Sequence, residues 1–355
     1  MKPGARSRGA LRWTLAVAVG ATALLGVALA AWVARAHGTW GDPSPASIGP
    51  GARAQVFWVD PIPLLGGMWS GPADGSGPAR KIHQNALSPD GLAIDAAHRH
   101  IYFTNMSLLD PHDASVQRGE LLDGRLQRVV DIVPEGWGLR TPKQIKLDLV
   151  RRHVYFADRE GRRIYRAPMD GCRERADLEV LVDFTSLPET AHQFVGVEID
   201  AERQEFYWSD RLTNTIWRAP STLREPVTPA NLSQHATRIV SYPIGMVTDL
   251  ALDARRRLLY WADRGEGNEL IGATLPAGFI ARIALEAPNA SVEHLVSDVR
   301  KDPVGLALSA DGQTLFYGHT EDGRVFSLSL RPGAQPRQLH RSLMGAGIEV
   351  VGSLP

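Results

Sequence analysis

The 355-residue chain repeats one phrase at nearly constant intervals, and self-similarity of this kind constrains a fold more than any local motif does. Leu92-Ala93-Ile94-Asp95 is followed, after six residues, by Tyr102-Phe103-Thr104-Asn105. The phrase returns as Ile145 to Asp148 with Tyr155-Phe156-Ala157-Asp158, as Val197 to Asp200 with Tyr207-Trp208-Ser209-Asp210, and as Leu250 to Asp253 with Tyr260-Trp261-Ala262-Asp263. A weaker copy joins Leu306 to Ser309 with Phe316-Tyr317-Gly318-His319. The aromatic anchors at 102, 155, 207, 260 and 316 lie 53, 52, 53 and 56 residues apart.

Each copy reads as β structure. An apolar, small-or-polar, apolar alternation has the period of a strand, the Asp after it can close an Asx-type turn, and a second, aromatic-rich strand follows. A third strand is predicted at Ile164 to Ala167, Ile216 to Ala219 and Val325 to Leu328, and a fourth at Glu179 to Val182, Arg238 to Val240, Val292 to Val296 and Arg337 to His340. Four antiparallel strands per unit of about 50 residues is the anatomy of a β-propeller blade. Phe57-Trp58-Val59-Asp60, Met68 to Pro72 and Arg80 to Ile82 supply three strands of a further blade and leave its first strand missing. Gly347 to Gly352, after the last complete unit, is the segment left to fill that place and seal the ring. The reading is an all-β, six-bladed β-propeller whose C-terminal strand joins the N-terminal blade, so that the ring has no open edge to pair with other chains.

Composition excludes several functions. Basic and acidic side chains balance at 39 each, so no charge excess recruits nucleic acid. A single cysteine, Cys172, excludes an internal disulfide framework, a Cys-rich zinc site and a CxxC pair. No P-loop, GxGxxG, GxSxG or HExxH occurs, so nucleotide binding, acyl-serine hydrolysis and zincin chemistry lack their local motifs.

The N-terminus has the order of an export signal: Lys2, Arg6, Arg8 and Arg12, an uncharged apolar run from Trp13 to Ala34, then a polar Gly/Pro-rich stretch. The run is long enough to span a bilayer core of ~30 Å as one hydrophobic helix. The positive flank would hold its start in the cytoplasm and place the rest outside. The domains expected are therefore a signal peptide or signal anchor over 1–36, a linker over 37–51 and the propeller over 52–355.

The repeat resembles the YWTD repeat of the low-density lipoprotein receptor class B family, with Tyr207 to Asp210 and Tyr260 to Asp263 nearest the family tetrad. That resemblance implies a six-bladed propeller, blade-linking roles for Asp60, Asp158, Asp210 and Asp263, and departures at Asn105 and His319. The export order of the N-terminus and the lack of a catalytic set together give the expected function: an exported, membrane-tethered, noncatalytic module that recognises a protein, peptide or glycan at its channel face. Pro303 to Tyr317 is similar to the closing repeat of the gluconolactonase/SMP-30 propellers, which implies a rival reading as a metal-dependent lactonase or esterase. A calcium, manganese, magnesium or zinc ion would then draw on Asp249, Asp90, Asn105 or Asn85. Val304 stands where that family's asparagine ligand is expected.

Binding residues are expected where loops enter the innermost strand or leave the second strand. His83, Asn85, Asp90, Lys143, Gln144, His192 and Asp249 lie on the way in, and Asn105, Arg159, Arg211, Arg264 and His319 on the way out. Asp249 occupies the position held by Gly91, Gly196 and Gly305 in other repeats, where a carboxylate either points into the channel or binds amides at its own turn. Two long insertions, after Thr104 and after Asp263, would decorate this same face.

Overall fold

In a computed structural model of the chain, residues 53–85, 87–106, 113–241, 245–265, 277–287, 290–299 and 302–352 are described. The N-terminal apolar run, the linker and most of the two insertions lie outside these residues. Among the described residues, no helix is long and apolar enough to cross a membrane.

The described residues form six four-stranded antiparallel sheets. Blade 1 holds β1 (Gln55–Asp60), β2 (Gly67–Pro72) and β3 (Arg80–Gln84). Blade 2 follows with β4 (Ser88–Asp95), β5 (His100–Met106), β6 (Ser115–Leu122) and β7 (Arg125–Val133). Blade 3 has β8 (Pro142–Asp148), β9 (His153–Asp158), β10 (Arg163–Pro168) and β11 (Glu179–Asp183), and blade 4 has β12 (Phe194–Asp200), β13 (Glu205–Asp210), β14 (Thr215–Pro220) and β15 (Thr237–Ser241). Blade 5 is β16 (Val247–Asp253), β17 (Leu258–Gly265), β18 (Ala277–Ala284) and β19 (Glu293–Val299). Blade 6 is β20 (Pro303–Leu308), β21 (Thr314–His319), β22 (Arg324–Ser329) and β23 (Arg337–Arg341), after which β24 (Ile348–Val351) pairs antiparallel with β1 and completes blade 1, Ile348 opposite Trp58 and Val351 opposite Gln55.

Two adjacent aromatics on each second strand hold the ring together, because successive strand side chains point to opposite faces. The first of each pair packs toward the following blade and the second toward the preceding one. Tyr155 joins the cluster containing Phe194 and Trp208, whereas its neighbour Phe156 joins the cluster of Tyr102 and Ile145. The same rule sends Tyr207 toward Trp261, Tyr260 toward Tyr317, Phe316 toward Trp58, and Phe57 toward Phe103. Twelve positions of this kind lie in six inter-blade clusters, and burial of each large side chain stabilises the fold by about 1.5–3 kcal/mol.

Blades also approach closely at their innermost strands. A Cβ on Gly91 would meet the Lys143 carbonyl oxygen at 2.5 Å, and one on Gly305 would meet the Ala346 oxygen at the same distance. The registers of β4, β8, β12, β16 and β20 against their second strands all shift near the start of the innermost strand. Such bulges re-aim side chains, and here they fall at Asp90, Lys143, Gln144 and Asp249.

Candidate functional site

The connector face is built by the loops entering the innermost strands and leaving the second strands. Each tetrad aspartate is buried there and accepts N–H groups from the connector entering its own blade. Asp158 accepts from Thr141 N at 2.7 Å and Arg140 N at 3.1 Å; Asp263 accepts from Met246 N at 2.7 Å. Asp210 accepts from Gln193 N at 3.0 Å and contacts His192 Nδ1 at 2.5 Å. Asp60 accepts from Trp69 Nε1 at 2.7 Å, Ser342 Oγ at 2.6 Å and Met344 N at 2.9 Å, and burial pushes its carboxyl up to about 6 against these hydrogen bonds. Side-chain bonds to the next blade come from other residues: Thr104 Oγ1 donates to the Lys143 carbonyl at 2.7 Å, and Thr248 Oγ1 donates to that of Pro303 at 3.0 Å.

The two departures from the tetrad behave differently. Asn105 is fully buried and substitutes an amide relay, accepting from Asn85 Nδ2 and donating to Gln117 Oε1, each at 2.8 Å. His319 is buried against Tyr317 and Phe326, its Nδ1 is 3.5 Å from Asp322 Oδ1, and burial holds its ring below the usual histidine value.

At the channel mouth, Lys143 Nζ donates to Asp90 Oδ2 at 2.8 Å, and Gln144 Nε2 reaches Asp90 Oδ1 at 3.4 Å, all three being buried. Arg159, Arg211 and Arg264 directly follow the tetrad aspartates of three successive blades. Arg159 pairs with Glu160 and Arg264 with Asp302. Arg211 donates from Nε to Gln193 Oε1 at 2.6 Å, and among the described residues it pairs with no carboxylate. Burial and then the like charges of Arg159 and Arg264 hold the half-buried guanidinium of Arg211 down at about 10.

The proposed metal donors are each engaged. Asp90 holds Lys143, Asn85 and Asn105 bond to each other, and Asp249 accepts from Leu250 N and Leu306 N, each at 2.8 Å. Asp249 therefore binds an amide of its own strand and one of blade 6. Among the described residues, no three His, Cys, Asp or Glu side chains are grouped to hold a metal ion.

Sequence reasoning missed the channel interior. One position of the innermost strands reads Glu349, Ala93, Lys146, Glu198, Ala251 and Ala307 from blade 1 to blade 6, and these residues line a cavity of about 240 Å³. Ile94, Leu147, Ile199, Leu252 and Leu308 add an aliphatic collar just before the hairpin turns, and Leu149, in one of those turns, stands at the rim. Lys146 Nζ lies 3.5 Å from Glu198 Oε2. Burial alone would lower the Lys146 ammonium, but the charges of Glu198, Asp249 and Glu349 outweigh it and hold the group above the usual lysine value. Burial raises Glu198 and Glu349, and it pushes Asp249 up to about 7 despite the charge of Lys146. The signal was available in the aligned repeats, as a column that holds only alanine or a charged residue.

No family model matches the chain. Over 255 residues it is 26% identical to a low-density lipoprotein receptor-related protein 1 of Pyricularia oryzae, covering 69% of this chain and 79% of that one. In two further curated relatives the matched stretch is 41% and 32% of their length. A chain from a crystal structure of a nidogen/laminin complex superposes with a TM-score of 0.63 at 19% identity, covering 85% of this chain and all of that one. The chain resembles the YWTD-repeat propellers in sequence and in fold. The fold is shared more widely: the Pseudomonas aeruginosa periplasmic gluconolactonase superposes with a TM-score of 0.52 at 14% identity, over 89% of this chain and 90% of that one.

Proposed function

We propose that this chain is an exported, noncatalytic, protein-binding propeller that grips an acidic side chain of its partner at the connector-face mouth, with Arg211 as the anchor. The observation that carries the reading is the charge state of that mouth. Lys143, Arg159 and Arg264 each have a carboxylate partner, and Arg211, half-buried in their midst, has none among the described residues. A guanidinium in such a place offers a planar, two-pronged donor to an incoming carboxylate, and the like charges around it favour that ligand. His192, Gln193 and Asp210 fix the loop beneath it. The similarity to a receptor-related protein and to a chain held in a nidogen/laminin complex supports a protein ligand. The basic, apolar, polar order of the N-terminus supports export, with the run from Trp13 to Ala34 as the tether.

Panning a random-peptide display library against the full chain tests the site. Enriched peptides should carry Asp or Glu, bind more weakly as salt rises, and lose at least tenfold in affinity against Arg211→Gln. Neutral peptides that bind the variant equally well would refute it. Fractionation tests the tether separately, since the full chain should sediment with membranes and a chain lacking residues 1–36 should not.

A further inference from the structure

The channel cavity has a two-sided order that its own residues only half fill. Around the ring, Glu198 of blade 4 and Glu349 of blade 1 stand opposite each other. On one side between them lie Lys146 and Ala93; on the other lie Ala251 and Ala307. Lys146 thus occupies one side, and two alanines leave the other open. Asp249, two residues before Ala251 on β16, acts on Lys146 through its charge but lies outside the cavity lining, both its oxygens being held by backbone N–H groups. Glu198 Oε1 and Glu349 Oε1 each accept the N–H of the next residue, which fixes both carboxylates on their strands. The one ammonium of Lys146 therefore faces two carboxylates, Glu198 and Glu349, in a cavity of about 240 Å³, roughly eight water volumes at about 30 Å³ each. Uncompensated buried charge of this kind is costly, and a second cation on the alanine side would relieve it.

We infer that this cavity binds a small aliphatic primary amine, its ammonium between Glu198 and Glu349 and its alkyl chain against the collar. The collar selects an organic cation over a bare ion. Ile199, Leu252 and Leu308 form an apolar wall on the open side, and Leu149 stands at the rim on the hairpin face. Burial raises the carboxyls of Glu198 and Glu349 against the charge of Lys146. The site opens on the face opposite Arg211 and does not rest on the protein-binding reading.

The test is calorimetric titration of the full chain with n-pentylamine, with 1-pentanol as the neutral control. The ammonium should bind at one equivalent, at least tenfold more tightly than the alcohol. Glu349→Gln should weaken it at least tenfold, and Ala307→Lys, which tethers a cation on the open side, should abolish binding while leaving the melting temperature unchanged or raised. Three results would each overturn the inference: no binding of the amine, equal binding by Glu349→Gln, or displacement of the amine by a more tightly bound calcium ion. Peptide capture at Arg211 should be unchanged in Ala307→Lys, so failure here and failure of the connector-face reading are separately visible.

Discussion

At the scale of single residues, the buried carboxylates set how stability responds to pH. Asp249 is raised to about 7 in the folded chain from an ordinary 3.8, so the folded state holds its proton more tightly than the unfolded one. That contribution to stability is fully present below about pH 4 and is lost as pH rises through about 7. At ~1.4 kcal/mol per pKa unit, the loss is on the order of 4 kcal/mol. Asp249→Asn keeps one acceptor for Leu250 N or Leu306 N and abandons the other, which costs about 1 kcal/mol at low pH. Urea unfolding across pH 4 to 8 should show the wild type losing stability more steeply than the variant, which keeps the losses from the other raised carboxyls, among them Asp60, Glu198 and Glu349; an equal slope would place the titration elsewhere. The residue-level reading from sequence was uneven for a physical reason. The repeated aspartates and aromatics announced themselves because every blade needs the same turn and the same inter-blade contact. Lys146, Glu198 and Glu349 did not, because a strand alternation registers only "small or polar" at that position and carries no sign of which neighbours share the channel.

At the scale of the strand, the innermost element is the least tolerant part of each blade. Strand number, order and the approximate place of each turn were legible, since alternation and Asx turns are local properties. The bulges at the start of five innermost strands were not, because they arise from the close approach of a neighbouring blade. Gly91 illustrates the constraint. A Cβ there would lie 2.5 Å from the Lys143 carbonyl oxygen and 2.8 Å from Gln144 Cα, both backbone atoms that cannot swing aside. Gly91→Ala should therefore lower stability by about 1–3 kcal/mol, the usual range for overpacking, and should loosen the Asp90–Lys143 pair of the same junction. Gly77→Ala is the matched control, because a Cβ there meets only Pro72 Cγ, at an ordinary 3.4 Å. Similar losses for the two variants would show that the junction yields.

At the scale of the whole molecule, two faces of one channel carry opposite chemistry. The connector face offers Arg211, and the hairpin face offers the carboxylates of Glu198 and Glu349 behind an aliphatic collar. Ring closure joins them. Trp58 Nε1 donates to Ser342 Oγ at 2.8 Å, and that hydroxyl donates to Asp60 Oδ1 at 2.6 Å across a sequence separation of more than 280 residues. These contacts make the first blade wait for nearly the last strand to be synthesised. Until then β1 shows an unpaired edge, and five blades' worth of chain must emerge before the circle has any means of shutting. Long-range closure of this sort slows folding far more than it alters the depth of the final well. A circular permutant that starts at Ser342 and joins Gly352 to Arg53 through a short linker turns the last pairing into a local hairpin. In stopped-flow refolding it should reach the native state markedly faster, with an unfolding midpoint close to that of the parent. Equal refolding rates would mean that the ring is zipped from some other seam. The order of strands along this chain works as a delay, keeping the ring open until its closing strand has been made.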